Sequence, residues 1–453
     1  MTKKKISSRK YGKETLVREI EQALAPGEFI PYRQAWGFVQ NLEDTERKIE
    51  KLVENGEAAK AVSLYEIFFA GCYDKADEID DSGGDLGMFF GRVFVSWIKA
   101  RQKAKCDPGE TVHQILQWME NDDYGFCYNI EKELVKALNR QGLKIFASII
   151  KSRFEEALGN ENPKKPLRVY DSPYDVHKNA EILKCVYVEK KDISSYIDLS
   201  EKIGITPKDC ENIAELHKMK NQYQEALVWI DKGLELEKKS NWPNDSACGL
   251  NAKKRELQAK LGQKDEAFNS AWSEFMKHPS VYSYEEFKKY ISEGDSEHWH
   301  KKAIEIARNT SLSAIIELAV QTGEWDVLAQ CIISAQDQEL ESLSHYRTEP
   351  AAIGLKKEHF PAAAKVYRAL AMRIVNAGKS KYYSIAINHF KELKTLYKKI
   401  GCEKEWLSLV ESIKKDHSRK YSFINKFEKL LAGEYPKSFA EKARTRWKKQ
   451  ISG

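Results

Sequence analysis

A chain of 453 residues exceeds what one compact hydrophobic core serves, so two or three domains or an extended solenoid are expected. Its 42% hydrophobic and 31% charged residues exclude a disordered chain, and no apolar run nears the roughly 20 residues that span a bilayer. The formal charge of +6 is uneven: residues 1–20 carry +5, residues 381–453 carry +10, and the stretch between carries −9. Two basic ends around an acidic middle admit a polyanion contact as one reading and solvated helix faces as the other.

In chain order, residues 1–20 read as a basic N-terminal arm. Met1-Thr-Lys-Lys-Lys-Ile-Ser-Ser-Arg-Lys10 leads into no hydrophobic stretch, so it does not read as a secretory signal. Residues 21–160 read as an N-terminal helical domain, closed by the polar linker Gly159-Asn-Glu-Asn-Pro-Lys-Lys-Pro166. Residues 167–345 read as tetratricopeptide-like helical repeats. Residues 346–453 read as C-terminal helical repeats with a basic tail, after a lapse of periodicity near Glu341–Pro350.

The apolar spacing is helical wherever a window is long enough to test. Ala226, Trp229, Ile230, Gly233 and Leu234 form one stripe; Ala386, Phe390, Leu393, Tyr397 and Ile400 form another. Twelve prolines and 24 glycines are few breakers for this length. Strand-like pieces such as Lys184-Cys-Val-Tyr-Val188 are too short and isolated to build a sheet. The expected fold is therefore all-α, an irregular tetratricopeptide-like helical-hairpin solenoid with an N-terminal helical domain.

A turn residue stands five positions before an alanine at Gly56 and Ala61, Asn221 and Ala226, and Gly262 and Ala267. Glycine or asparagine accepts the left-handed conformation that ends one helix, and the alanine lets the next pack closely on it. Ile213–Leu236 resembles the tetratricopeptide motif, with Ala214 and Gly233 at its other small positions and Pro279 where the next unit's closing proline falls. The second unit departs from it: its spacing is 41 residues, from 226 to 267, and Arg255 and Glu274 occupy the small positions.

Several stretches carry a wider resemblance. They are Asp80-Asp-Ser-Gly-Gly-Asp-Leu-Gly87, Asp123-Tyr-Gly125, Leu138-Asn-Arg-Gln-Gly-Leu143 and Gln224–Leu234, then His359-Phe-Pro361, Tyr382–Ala386, Trp406 and His417-Ser-Arg-Lys420. Together they resemble an uncharacterised bacterial helical family related to the region after the zinc finger of SWIM zinc-finger proteins. The resemblance implies a helical fold over most of residues 30–430 and no activity. The finger's own C-x-C…C-x-H ligands have no counterpart here.

Motifs for chemistry fail on spacing. Gly378-Lys-Ser380 resembles the end of a P-loop, but the required earlier glycine is Arg373 and no strand precedes it. Asp80–Asp85 does not fit a calcium loop, since positions 6 and 12 from Asp80 are Asp85 and Gly91; it reads as a turn whose Asp or Ser caps the next helix. His298 and His300 project from different faces of a helix and read as a histidine–tryptophan packing patch. The eight cysteines lie at least 21 residues apart, which reads as scattered reduced thiols of a cytoplasmic protein.

No catalytic, cofactor or metal residue is therefore expected. The one candidate surface is polyanion-binding: Arg419, Lys420, Lys442, Arg444, Arg446, Lys448 and Lys449, with Tyr421, Phe423, Phe439 and Trp447 interleaved. The alternative gives those aromatics to a packed face. The leading expectation is a non-enzymatic scaffold that binds a protein or peptide partner, with no membrane partner. A nucleic-acid-binding accessory protein using the basic termini comes second, and an enzyme with an unrecognised site third.

Overall fold

The computed structural model describes residues 13–24, 27–159, 174–239, 246–292 and 294–433. Among them the regular structure is helical, with one isolated β-bridge, between Ile30 and Ile79. The chain divides into two compact units, Met1–Leu250 and Asn251–Gly453.

The N-terminal unit begins with α1 (Lys13–Leu24), α2 (Tyr32–Glu54), α3 (Ala58–Ala76) and α4 (Asp85–Lys103). It continues through α5 (Pro108–Glu120), α6 (Glu131–Ala137), α7 (Arg140–Gly159) and α8 (Tyr174–Lys190). The next helices are α9 (Ile193–Ile203), α10 (Pro207–Met219) and α11 (Tyr223–Lys239), and the division falls inside α12 (Ser246–Lys260). In the second unit come α13 (Lys264–Lys277), α14 (Val281–Lys288), α15 (Ser296–Thr310), α16 (Leu312–Thr322) and α17 (Trp325–Ser334). The last are α18 (Asp337–Ser342), α19 (His345–Leu355), α20 (Phe360–Ala377), α21 (Tyr383–Lys399), α22 (Glu403–Asp416) and α23 (Tyr421–Leu431). Chain neighbours pack as hairpins, α3 on α4, α10 on α11 and α20 on α21 among them. The all-α expectation holds, and the strand-like Lys184–Val188 stretch is the interior of α8.

The five-residue offset has a structural cause. Gly56, Asn221 and Gly262 all take positive φ, at 85°, 57° and 83°. The next amide then returns to the carbonyl five residues back: Glu57 to Leu52 at 2.8 Å, Gln222 to His217 at 3.0 Å, Gln263 to Gln258 at 2.8 Å. That bond closes one helix and aims the chain so that Ala61, Ala226 and Ala267 are fully buried. The device recurs at Lys191, Gly323 and Gly401, where the buried residue five on is Tyr196, Leu328 and Trp406. Gly233 completes the α10–α11 contact, since a Cβ there would press on the Cys210 Cβ at 3.1 Å. Ala226→Phe should overpack this seam, lowering stability by about 1–3 kcal/mol. An unchanged melting temperature would contradict that packing.

Three expected boundaries can be set beside the described helices. The basic arm ends before residue 20, because Leu16, Ile20 and Leu24 form the buried stripe of α1. The 160–166 linker lies in a stretch, 160–173, outside the described residues. The helices flanking it share one core, through Phe146, Ile150 and Phe154 of α7 and Val176, Ala180 and Leu183 of α8. A polar stretch with prolines marks a surface crossing within a unit as readily as a domain boundary. Nor do the units part at 345/346: Leu340 of α18 and Ala351, Ala352 and Leu355 of α19 belong to the same core. Periodicity lapses there because α18 is short and Pro350 lies on the exposed side of α19.

Two polar clusters are buried within the cores. Asp209 accepts from Lys184 at 2.7 Å, from the Tyr196 hydroxyl at 3.0 Å, and from both the amide and hydroxyl of Thr206, which caps α10. In the second unit Arg255 pairs with Glu274 at 2.6 Å and lies 3.6 Å from Glu286. Where the repeat logic calls for small side chains, an internal ion pair stands instead.

Candidate functional site

A groove of about 1010 Å³ runs along α4 in the N-terminal unit, between α2 and the segment from Gly125 to Glu133. Its floor contains Gly84, Gly87 and Gly91, the far wall carries Tyr128 and Asn129, and α2 contributes Glu43, Glu46 and Glu50. Met88 and Tyr128 are 63% and 82% exposed, an apolar lining open to solvent.

Two aspartates build the bends that frame it. Asp81 accepts from the amides of Leu86 at 2.8 Å and Gly87 at 3.1 Å, which have no partner of their own in the first turn of α4. Asp80 closes the preceding turn onto Ser82, and Gly84 takes the left-handed conformation at φ 74°. Across the groove Asp122 accepts from the amides of Phe126 at 3.0 Å and Cys127 at 2.6 Å and from the Tyr73 hydroxyl at 2.9 Å. Gly125 follows at φ 75°. The Asp80–Gly87 turn is thus a helix cap, as expected, and it meets the Asp123–Gly125 stretch at one groove.

The groove's charges are unequally matched. Glu43 is paired with Arg92 and lies 3.9 Å from Arg47, which also binds Asp44 at 2.9 Å. Glu133 pairs with Lys136 at 3.0 Å. Glu46 contacts the hydroxyls of Tyr65 and Ser96, and burial, reinforced by Glu50, pushes its carboxyl up to about 6 from the ordinary 4.5. A carboxyl whose folded pKa is raised opposes folding once it ionises, so its cost appears as pH climbs from 4.5 through 6. Glu46→Gln should raise stability at pH 7 by about 1 kcal/mol, the full linkage value being halved for partial exposure, and change little at pH 4. Denaturation at both pH values checks this; an equal gain at each would contradict it.

The other candidate residues have structural partners. His300 is engaged at both ring nitrogens, with the Tyr284 hydroxyl at 2.8 Å and Glu324 at 2.9 Å, while His298 packs on Trp299. Gly378 ends α20 at φ 69°, and a short 3-10 turn, Ser380–Tyr382, follows. Burial pushes the Cys72 and Cys127 thiols up to about 12, which keeps them protonated. Among the described residues no group of three or more His, Cys, Asp or Glu is placed to hold a metal ion, and no helix is long and apolar enough to cross a membrane.

Of the polyanion candidates, Arg419 is exposed and Lys420 donates to the Val375 carbonyl at the end of α20, at 2.5 Å. Lys442, Arg444, Arg446, Lys448 and Lys449 lie outside the described residues, as do Phe439 and Trp447. Phe423 is core, packed on Tyr383, Phe390 and Phe427, whereas Tyr421 is 75% exposed. The groove was not foreseen from the sequence.

Comparison with known proteins adds family but no activity. No curated protein matches the chain. A solved "circular tandem repeat protein with novel repeat topology and enhanced subunit contact surfaces" is similar at 14% identity, over 92% of this chain and 97% of that one, with a TM-score of 0.18. A family of unknown function, DUF6880, matches residues 10–426, and the chain belongs to that family.

Proposed function

We propose that the protein is a non-enzymatic helical scaffold that takes a segment of a protein or peptide partner into the α4 groove. The observation that carries this is the pair of glycines inside α4. At some other helical glycines a neighbour leaves no room for a side chain: a Cβ at Gly71 would strike Leu24, and one at Gly354 would strike the Trp325 ring. At Gly91 a Cβ would meet nothing within 4 Å, and at Gly87 only ordinary contacts at 3.8 Å. Neither has positive φ. Glycine inside a helix costs about 1 kcal/mol relative to alanine, and the fold recovers none of it at Gly91. A site kept bare at the expense of stability fits close approach by another chain. Gly37 of α2, Gly159 at the end of α7 and Gly249 of α12 are equally open but are not among the groove's residues.

The tetratricopeptide-like hairpins, a cytoplasmic and bacterial setting and the relation to SWIM proteins belong to the same proposal. Two of the stretches that carry that last resemblance, Asp80–Gly87 and Asp123–Gly125, edge the groove. A nucleic-acid role for the basic ends has less support, since the Lys420 ammonium is committed to the end of α20.

Two substitutions test the proposal. Gly91→Ala should stabilise the protein by about 0.5–1 kcal/mol, because only helix propensity changes. Gly91→Trp should fill the groove, leave the fold intact and abolish capture of the partner that wild type retains from native lysate. Capture indifferent to Gly91→Trp would overturn the proposal.

A further inference from the structure

Resting on that reading of the groove, we infer that its occupant is a cationic amphipathic helix of a partner protein, carrying two lysines or arginines one turn apart that meet Glu46 and Glu50. Of the four carboxylates lining the groove, Glu43 is answered by Arg92 and Arg47, and Glu133 by Lys136. Glu46 and Glu50, one turn apart on α2, have no ion-pair partner among the described residues. Glu46 bonds to the neutral hydroxyls of Tyr65 and Ser96, and Arg92, paired with Glu43, is the weakest of the influences on its carboxyl. Their mutual repulsion helps to raise the Glu46 carboxyl, and a cation between them would relieve it. The groups facing Glu46 are Glu43, Arg47 and Glu50 on α2, Tyr65 on α3, Arg92 and Lys99 on α4, and Glu133 on α6. Arg47 and Arg92 are already held by carboxylates, and Lys99, although it lines the groove, pairs with neither Glu46 nor Glu50.

Shape selects a helix. Arg92 meets Glu43 and Ser96 meets Glu46, so α2 and α4 run side by side in the same direction, and the groove follows them from Gly84 to Lys99. At 1.5 Å per residue that is about 22 Å, the length of a four-turn helix. Gly87 and Gly91, one turn apart, admit its backbone, and exposed Met88 and Tyr128 offer contacts to its apolar face. Its polar face then lies toward α2, where the two carboxylates wait.

The test uses a displayed library of amphipathic helices of about 16 residues, panned against the full chain with the Gly91→Trp protein as counter-selection. Recovered peptides should be enriched in lysine or arginine at a spacing of four. Their affinity should fall about tenfold from pH 7 to pH 5, where Glu46 is about nine-tenths protonated, and by a similar factor in the Glu46→Gln/Glu50→Gln protein. Peptides that bind in a Gly91→Trp-sensitive way but lack cations, or bind equally at both pH values, would overturn the cationic helix and leave the groove standing. If no recovered peptide is sensitive to Gly91→Trp, the groove reading itself fails. Self-association abolished by Gly91→Trp in sedimentation would make a second copy the occupant and would likewise overturn this inference.

Discussion

Asp209→Ala is expected to lower the stability of the N-terminal unit by about 3–5 kcal/mol, among the largest effects of any single substitution in it. The carboxylate is 2% exposed, and four donors converge on it from α8, α9 and the turn before α10. Its loss leaves the buried Lys184 ammonium with Glu181 alone, the Tyr196 hydroxyl proton without its acceptor, and the Thr206 amide uncapped. An unpaired buried charge costs far more than the net worth of the pair, which is why the single change is severe. Thr206→Ala removes only the hydroxyl's share and should cost about 0.5–2 kcal/mol. Denaturant titration of both variants checks the order; equal small losses would mean the cluster is solvated.

Arg255→Met should cost the second unit a similar amount, about 3–5 kcal/mol. The guanidinium is 1% exposed, and without it Glu286, also buried, keeps Lys289 at 2.5 Å but loses its cation from α12. Replacing Glu274 with leucine and Glu286 with glutamine in the same chain should restore most of the loss, because an uncharged cluster of similar volume avoids the desolvation that the charges incur. Thermal unfolding of the single and triple variants decides this. If the triple variant is no more stable than the single, the cluster contributes through packing and not through charge.

The helices were legible because their cause is local. Apolar residues at a helical period, with few breakers, leave little choice of secondary structure, and the left-handed turn at Gly56, Asn221 and Gly262 could be read from residue type. The same turn at Lys191 could not, because lysine gives no sign of positive φ and the residue it buries is Tyr196, not alanine. Arg255 and Glu274 could be seen to break the small-residue pattern, but only folding brings them to 2.6 Å. Composition reports the exposure of a stretch, not which cores its flanks join. The groove lay further out of reach. Gly87 and Gly91 become informative only once every neighbour that could require them is shown to be absent, and Glu46 only once Glu50, Tyr65 and Ser96 surround it.

The claim that the α4 groove is the working surface is tested most directly by photocrosslinking in the native cell. A photoreactive residue at Met88, in the groove, is compared with one at Tyr421, also open to solvent but on the other unit. The account predicts a discrete adduct from position 88 that disappears when Gly91→Trp is added, and none of that mass from position 421. The same adducts at both positions, or an adduct at 88 that persists with the groove filled, would contradict it.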